Sequence, residues 1–292
     1  MNKVRKVVIP VAGLGTRFYP ITKSISKEML PIIDVPTIQI IIQEAIKSGL
    51  EEVIIVNSPE KKLVNHYFSR DEDLEKRLIE SGKEDLIDKL REIENLIKIT
   101  FVYQEKPEGL GQAILCAKEA IGNEPFAVAL GDDIVINRKG EPILKQLIDV
   151  YNQYGKTVMG AKRVDYSEIS KYGSADPLKI DGRLVLLKGL IEKPKKEDAK
   201  SNIATLGCHI LTPTIFDLLK TQKKGIGGEI QLTDAVARLI PIEGVYAYEF
   251  EGERFDVGDK FGYITAIIDF ALNDERFRDR LLEYLKEKGK EF

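Results

Sequence analysis

A glycine-rich turn followed by two fixed positive charges is the part of this chain best suited to chemistry. The apolar run 7–9 predicts a strand buried on both faces, and Gly13 and Gly15 let the backbone after it turn closely around a ligand. Arg17 and Lys27 then place positive charge beside the turn. Exposed backbone N–H groups next to two cations favour a binding site for a polyphosphate.

The same segment differs from two common phosphate-binding motifs. Phe18 stands where a dinucleotide-binding fingerprint has its third glycine, and the Gly-Lys-Ser/Thr run of a Walker A loop does not follow. Taken alone, the turn can also be a tight strand-to-helix connection with a solvated arginine. Lys27 and the segment 28–31 after it favour the phosphate site.

Two aspartates that follow strand-like runs are candidates for a metal site. Asp132 comes after the buried run 128–130, and Asp256 ends a second strand-like run before a glycine. Ligands of open α/β sheets bind at the carboxyl ends of strands, and Mg²⁺ takes one or two carboxylates together with phosphate oxygens. We therefore expect Asp132 to be a metal ligand and Asp133 to be structural, with a turn or capping role for Asp132 as the alternative. Asp256 can share the site only if the fold brings the two strand ends together.

Two further segments combine polar side chains with a turn. Gln104 offers a donor and an acceptor, which suits the imide edge of a pyrimidine, and Gly109 would let the backbone reach the base. A glycine-rich loop before a helix is the alternative interpretation. Glu192 and Lys193 end a strand-like run before Pro194, where they can face a sugar phosphate or form an exposed ion pair.

The elements that position these residues alternate between strand-like and helical patterns in the first half, which predicts βαβ units and a mainly parallel sheet. The strands predicted there are 6–11, 52–57, 98–103 and 125–130. The helices predicted there are 36–48, 111–121 and one or two surface helices within the charged segment 60–97. The strands predicted in the second half are 156–164, 177–180, 183–191, 203–211 and 244–250. The helices predicted in the second half run from 212 to 219, over 259–273 and over 275–289.

Composition limits the class of protein. With 292 residues, 43% of them hydrophobic, the chain can bury a large core, either as one large α/β domain or as two modest ones. The 47 acidic residues nearly balance the 44 basic ones, so no broad basic surface for nucleic acid is indicated. Two cysteines, no apolar leader and no run of membrane-spanning length indicate a reducing cytoplasm and no membrane partner. His66 and His209 lie outside the motifs, which argues against Ser-His-Asp and Cys-His hydrolases and against a zinc site.

Seven segments together resemble the sugar-nucleotide pyrophosphorylases, in particular the bacterial branch that uses UTP and glucose 1-phosphate. In chain order these segments are GLGTRFYPITKSISKEMLP, QEKPEGLGQAI, ALGDDI, SKYG, IEKPK, GGEIQLTDA and RFDVGDKFGY. The resemblance implies a Rossmann-like nucleotidyltransferase fold of class α/β, with a mixed, mainly parallel central sheet flanked by helices and a smaller sugar-binding portion. Within one domain, it implies a nucleotide-binding half over 1–131, a sugar-phosphate-binding half over 132–258 and C-terminal helices over 259–292.

The resemblance also implies roles for individual residues. The residues expected to bind the nucleotide are Ala12, Gly13, Gly15, Gln104 and Gly109. Arg17 and Lys27 are expected on the triphosphate, and Lys193 on glucose 1-phosphate. The residues expected near the sugar are Gly173, Glu192, Glu229 and Thr233. The implied cofactor is Mg²⁺, as one or two ions held by Asp132 and Asp256.

The reaction implied is in-line attack of glucose 1-phosphate on the α-phosphate of UTP, which yields UDP-glucose and pyrophosphate. The catalytic residues would be Arg17, Lys27, Lys193 and Asp132. A phosphate monoester is largely a dianion near pH 7, so the nucleophile needs no general base. Family members are usually homodimers or homotetramers. The alternatives are a thymidylyltransferase that uses dTTP and a non-catalytic regulatory subunit that binds sugar nucleotides.

Overall fold

The structure, a computed structural model, describes residues 2–291. The elements of the first half, in chain order, are β1 (Lys6–Pro10), β2 (Pro31–Ile32), β3 (Val35–Pro36), α1 (Thr37–Lys47), β4 (Glu52–Asn57), α2 (Lys62–Phe68), α3 (Glu72–Glu80), α4 (Asp85–Glu94), β5 (Lys98–Tyr103), α5 (Leu110–Cys116), α6 (Lys118–Ile121) and β6 (Phe126–Ala129). The loop after β1 contains short 3-10 turns at Thr16–Phe18, Ile21–Lys23 and Lys27–Met29.

Four parallel strands form the first half of the main sheet, in the order β5-β4-β1-β6. Val8 of β1 lies between Ile54 of β4 and Val128 of β6, and all three side chains are fully buried. This is the strand order of the first half of a Rossmann sheet, where ligands bind beyond the carboxyl ends of the strands. The four strands predicted for this half are confirmed.

The helices of this half agree in part with the prediction. Helix α1 confirms the helix predicted over 36–48, whereas the helix predicted over 111–121 is divided into α5 and α6 at Ala117. The charged segment 60–97 contains α2, α3 and α4, so the prediction of one or two helices there is wrong. Asp71 accepts a hydrogen bond from Leu74 N (2.9 Å) and so starts α3, and Gly82, with φ +66°, follows its end. These local signals divide an apolar pattern that looks continuous in the sequence.

The second half contributes the other strands of the sheet. Its elements, in chain order, are β7 (Asp133–Ile136), α7 (Ile143–Tyr154), β8 (Val158–Arg163), β9 (Gly173–Asp181), β10 (Leu184–Glu192), β11 (Ile203–Leu211), α8 (Ile215–Lys220), α9 (Leu232–Glu243), β12 (Tyr246–Glu249), β13 (Glu253–Asp256), α10 (Lys260–Leu272) and α11 (Arg278–Lys288). The strands predicted here and the two terminal helices are confirmed, while α7 and α9 are additional.

The main sheet is mixed. Within the described residues it has nine strands, in the order β5-β4-β1-β6-β11-β8-β12-β10-β9. Four of its pairings are parallel and five are antiparallel, so the prediction of a mainly parallel sheet is not confirmed. The physical reason is that β9 and β10 form a hairpin and β11 runs antiparallel to both β6 and β8. The α/β class of the fold is confirmed.

Helices cover both faces of the sheet. Helices α1 and α7 bury apolar side chains in one core, and α5, α8 and α9 bury theirs in the other. Strands β7 and β13 form a separate antiparallel pair in which Asp133 lies opposite Asp256. No helix within residues 2–291 combines the length and the apolar composition that a membrane crossing needs.

Candidate active site

A cleft of about 500 Å³ lies where β1, β5 and β6 end. The predicted site residues that line it are Ala12, Gly13, Gly15, Lys27, Gln104, Gly109, Asp132 and Glu229. Glu229 comes from the turn before α9. Each of the other residues lies in a segment that follows β1, β5 or β6. The parallel half of the sheet therefore brings together residues that are spread over most of the chain.

The turn after β1 requires its second glycine. Gly15 has φ +65°, a left-handed conformation that disfavours residues with a side chain, and a Cβ there would lie 3.2 Å from Thr22 Cγ2. Thr22 Oγ1 donates to Gly15 O (2.8 Å), which fixes the 3-10 turns against the glycine. Lys27 lies alongside, since a Cβ at Gly13 would be 4.0 Å from Lys27 Nζ. The lysine therefore faces the backbone of the turn.

Lys27 joins the two sides of the cleft. Its Nζ lies 2.5 Å from Asp132 Oδ2, in a contact between the turn after β1 and the strand end of β6. Burial lowers the pKa of Lys27, but the negative charges of Asp132 and Glu28 outweigh burial and leave that pKa above its usual value. Lys27 therefore remains a cation in the cleft at neutral pH.

An ion pair between Glu28 and Lys61 adjoins Lys27, and neither of its members is among the predicted site residues. The Glu28 carboxylate is fully buried, accepts from Ser26 Oγ (2.6 Å) and lies 3.5 Å from Lys61 Nζ. Burial raises the pKa of Glu28 and lowers that of Lys61, while each charge opposes the shift of the other. Glu28 falls within a segment that the resemblance uses, but Lys61 lies in the charged segment whose composition indicates a solvated face.

The two predicted metal ligands converge. A Cβ on Gly258 would lie 2.4 Å from Asp132 Oδ2 and 3.2 Å from Asp256 Oδ1, so both carboxylates border this one glycine. Gly258 N donates to Asp256 Oδ1 (3.1 Å) and approaches Asp132 O (3.2 Å). Arg17 Nη1 donates to Gly258 O (3.4 Å), which places a second cation at the same point. Strand β13 therefore carries Asp256 to the end of β6.

Asp133, predicted to be structural, forms an ion pair with Arg254. It is buried, and Arg254 Nε donates to its Oδ2 (2.9 Å). Burial raises the pKa of Asp133 to about 7, against the lowering effect of Arg254. Arg254 also lies 3.6 Å from Asp256 Oδ2 and 5.3 Å from the centre of the Tyr172 ring. Arg254 therefore connects the pair of metal-ligand candidates to the segment that precedes β9.

The remaining predicted sugar residues form a second group that begins beside Tyr172. Gly173 lies opposite Glu192 in the β9–β10 register, and a Cβ on Gly173 would lie 3.4 Å from Thr233 Cγ2. Lys193 N donates to Tyr172 O (3.0 Å) with φ +41°, and half of the Lys193 side chain is exposed. Lys193 Nζ lies 3.7 Å from Glu192 Oε1. These four residues lie outside the lining of the cleft and are joined to it through Tyr172 and Arg254.

Glu229, predicted near the sugar, lines the cleft after β1 together with Gly109. A Cβ on Gly109 would be 2.8 Å from Glu229 Cβ, and Gly109 itself has φ +111°. Glu229 Oε2 accepts from Gln231 Nε2 (3.2 Å). Its place in the cleft therefore depends on the close approach of the turn before α9 to the loop before α5.

Residues 6–272, which include every predicted site residue, match the family model described as nucleotidyl transferase. The chain belongs to this family. The match of this nucleotidyl transferase runs from β1 to the end of α10, so it covers both halves of the sheet and the β7–β13 pair.

Relatives and solved structures agree with the family. The chain is 49% identical over 98% of its length to UTP--glucose-1-phosphate uridylyltransferase 2 of Staphylococcus saprophyticus, of which it covers 98%. It resembles a crystal structure of UDP-glucose pyrophosphorylase complexed with UDP-glucose, with TM-score 0.85 and 38% identity over 93% of this chain and 100% of that chain. It also resembles the UTP-bound UGPase from Acinetobacter baumannii, with TM-score 0.89 and 34% identity over 97% of this chain and 99% of that one. The predicted membership of the sugar-nucleotide pyrophosphorylases is confirmed.

Proposed function

We propose that this protein makes UDP-glucose and pyrophosphate from UTP and glucose 1-phosphate. The observation that carries the proposal is the convergence of Arg17, Lys27, Asp132 and Asp256 at one strand edge, around Gly258. Two polyanions must approach each other in this reaction, and their repulsion requires fixed positive charge at the meeting point. The names of relatives that are about half identical to this chain point to the same pair of substrates.

The nucleotide is assigned to the cleft after β1. The Gln104 side chain is buried there, and its Nε2 donates to Gly109 O (3.3 Å) and contacts Gln112 Oε1. Gln104, with the backbone of Ala12, Gly13 and Gly109, is suited to bind the imide edge of uracil. The triphosphate would then extend past Gly15 towards Arg17 and Lys27.

Asp132 and Asp256 are proposed to hold Mg²⁺. Two carboxylates that border one glycine supply the hard oxygen ligands that this ion accepts. No group of three or more acidic, histidine or cysteine side chains within residues 2–291 is arranged to hold a metal, so phosphate oxygens and water would complete the shell. When bound, Mg²⁺ neutralises charge on the phosphate oxygens. One or two ions are compatible with this pair of ligands.

Glucose 1-phosphate is assigned to the group around Gly173. Glu192 can accept hydrogen bonds from sugar hydroxyls, while the backbone of Gly173 and the Thr233 side chain border the same position. Lys193 can neutralise the phosphate, which attacks the α-phosphorus of UTP in line as a dianion. The chain need only orient the nucleophile and stabilise charge, so no histidine is required.

The proposed function is tested by the release of pyrophosphate from glucose 1-phosphate with UTP, dTTP, ATP or GTP, with and without Mg²⁺. We expect fast release with UTP only when Mg²⁺ is present. A rate with dTTP above that with UTP would instead establish the thymidylyltransferase alternative. No release with any nucleotide, together with binding of UDP-glucose, would establish the non-catalytic alternative.

Proposals about the whole chain follow. One domain with halves at 1–131 and 132–258 and C-terminal helices at 259–292 is supported by the main sheet, which continues through both halves. A homodimer or homotetramer is supported by exposed apolar side chains on the last two helices, including Phe261 (73% exposed) and Tyr284 (55%). Analytical ultracentrifugation tests the assembly, and a monomer would exclude it. We also propose that the protein works in a reducing cytoplasm, which suits its free Cys116 and Cys208.

A further inference from the structure

Lys61 lies behind the glycine turn and binds its backbone. It is the residue before α2, and its Nζ donates to Val11 O (2.6 Å) and to Gly13 O (2.5 Å). The third N–H of the Lys61 ammonium group points to Glu28 Oε2, which lies 3.5 Å from Nζ. The Lys61 side chain is only 17% exposed. One buried cation therefore holds two carbonyl groups of the turn and is itself held by a buried carboxylate.

The two carbonyl bonds determine where the neighbouring N–H groups point. In a planar trans peptide the C=O and the following N–H point in opposite directions. With the carbonyls of Val11 and Gly13 on Lys61, the N–H groups of Ala12 and Leu14 are directed to the other side of the turn. Ala12 and Leu14 line the cleft, and Lys61 is not part of its lining. Within residues 2–291, neither N–H donates to another backbone group.

The alternative orientation would oppose an anion. Gly13 has no side chain to restrict the rotation of its peptide groups, so the turn can present either carbonyls or N–H groups to the cleft. A carbonyl oxygen turned into the cleft would repel a phosphate, whereas an N–H would bind it. An ammonium group behind the turn favours the second arrangement because it stabilises the carbonyls on its own side.

We propose that Lys61 is a positioning residue that orients the Ala12 and Leu14 N–H groups towards the bound nucleotide, whose oxygen atoms accept from them. This inference rests on the proposed function, in that the cleft after β1 is taken as the nucleotide site. Lys61 itself touches neither the nucleotide nor the sugar phosphate. Glu28 supports Lys61, because its carboxylate attracts the third N–H of the Lys61 ammonium group.

The test compares Lys61→Met with Lys62→Met, the adjacent lysine, which is exposed. Methionine keeps the length of the side chain and removes its donors. We expect Lys61→Met to raise the KM for UTP at least tenfold, to leave the KM for glucose 1-phosphate within twofold, and to weaken UTP binding in EDTA by a similar factor in calorimetry. Lys61→Arg, which keeps the donors, should recover part of the UTP affinity, and Lys62→Met should match the parent protein.

An equal rise of both KM values, or an unchanged KM for UTP in a folded Lys61→Met protein, would overturn the inference. If Lys61→Met does not fold, NMR spectra of the parent protein provide the test. Addition of UTP in EDTA should then shift the amide proton signals of Ala12 and Leu14 downfield, and unshifted signals would reject the role of Lys61. Failure of the parent protein and of Lys62→Met to bind UTP at all would instead contradict the proposed function.

Discussion

Lys27 Nζ and Asp132 Oδ2 lie 2.5 Å apart, so a cation from the turn after β1 is bonded to a carboxylate at the end of β6. The pair closes the cleft on the side where Asp256 and Arg17 also lie. Opposite charges are thus brought together at the place assigned to the triphosphate and its metal. Each charge in the pair reduces the cost of burying the other before any substrate is bound.

Replacement of Lys27 should remove charge stabilisation during turnover. We expect Lys27→Met to lower kcat by about 100-fold, the loss typical when one group that stabilises transition-state charge is removed. Lys23→Met is the control, because Lys23 is an exposed lysine of the same loop. Initial rates of pyrophosphate release measure both variants, and equal rates would exclude Lys27 from catalysis.

Replacement of Gly109 tests the close approach between the loop before α5 and the turn before α9. A Cβ there would lie 2.8 Å from both Glu229 Cβ and Ile230 O, at a φ of +111°. We expect Gly109→Ala to lower the free energy of unfolding by about 2–4 kcal/mol through backbone strain and overpacking. The KM for UTP should rise as well.

Gly122→Ala separates the cost of backbone strain from the cost of a steric contact. Gly122 has φ +72°, but its Cβ would meet nothing within 4 Å, so only the cost of backbone strain applies. We expect a loss of about 1 kcal/mol in urea unfolding and an unchanged KM for UTP. A Gly109→Ala protein as stable and active as Gly122→Ala would contradict the packing described here.

Lys193 combines a proposed role in catalysis with a strained backbone. We expect Lys193→Ala to reduce turnover at least tenfold, or roughly 1.4 kcal/mol of transition-state stabilisation, with little change in stability. Since φ is +41°, Lys193→Gly should be equally inactive yet more stable than Lys193→Ala by about 1 kcal/mol. Steady-state rates and thermal melts measure both, with the exposed Lys196→Ala as control. Near-normal rates in Lys193→Ala would remove Lys193 from the mechanism.

His209 should make stability depend on pH. Burial in β11 lowers the pKa of His209 to about 4, and its Nδ1 accepts from Gly160 N (3.3 Å). Between pH 6.5 and about pH 4 the unfolded chain therefore binds a proton that the folded chain does not. The free energy of unfolding should fall as pH falls through this window, by up to about 3 kcal/mol from this residue.

The other histidine provides the control. His66 is exposed, so His66→Gln should keep the same pH dependence as the parent protein. In His209→Gln the slope of unfolding free energy against pH should be smaller between pH 6.5 and 4, as measured by urea unfolding at each pH. Equal slopes in the parent protein and both variants would show that His209 does not titrate as its burial requires.

Much of the parallel half of the sheet, and of the cleft beyond its strand ends, is predictable from sequence. Gln104 and Asp132 follow directly after strands whose apolar runs are clear, and parallel strands present their carboxyl ends at one edge. Helix α7 carries equally clear signals, because Pro142 precedes it and Gly155, with φ +65°, follows it. The predicted elements nevertheless lack this helix.

The rest depends on pairings that local sequence does not encode. Asp256 reaches Asp132 because β13 pairs with β7, and the register of two short strands far apart in the chain has no local signal. Lys61 could not be found because its partners are backbone carbonyls, which no side-chain pattern reveals. The position of Glu229 beside Gly109 depends on the approach of the turn before α9 to the loop before α5, which has no local signal either.

Asp132 and Asp256 are proposed to hold the same metal ion. The direct measurement is equilibrium binding of Mn²⁺ in the presence of a non-hydrolysable UTP analogue, followed by electron paramagnetic resonance, for the Asp132→Asn, Asp256→Asn and double variants. Glu253→Gln, a change in the same strand, is the matched control.

We predict that each single Asp variant binds Mn²⁺ at least tenfold more weakly than the parent protein. The double variant should lose less than the sum of the two single losses in binding free energy, because the second carboxylate has no metal left to hold. Full Mn²⁺ affinity in Asp256→Asn would contradict the account, since the carboxylate beside Gly258 would then have no part in the site.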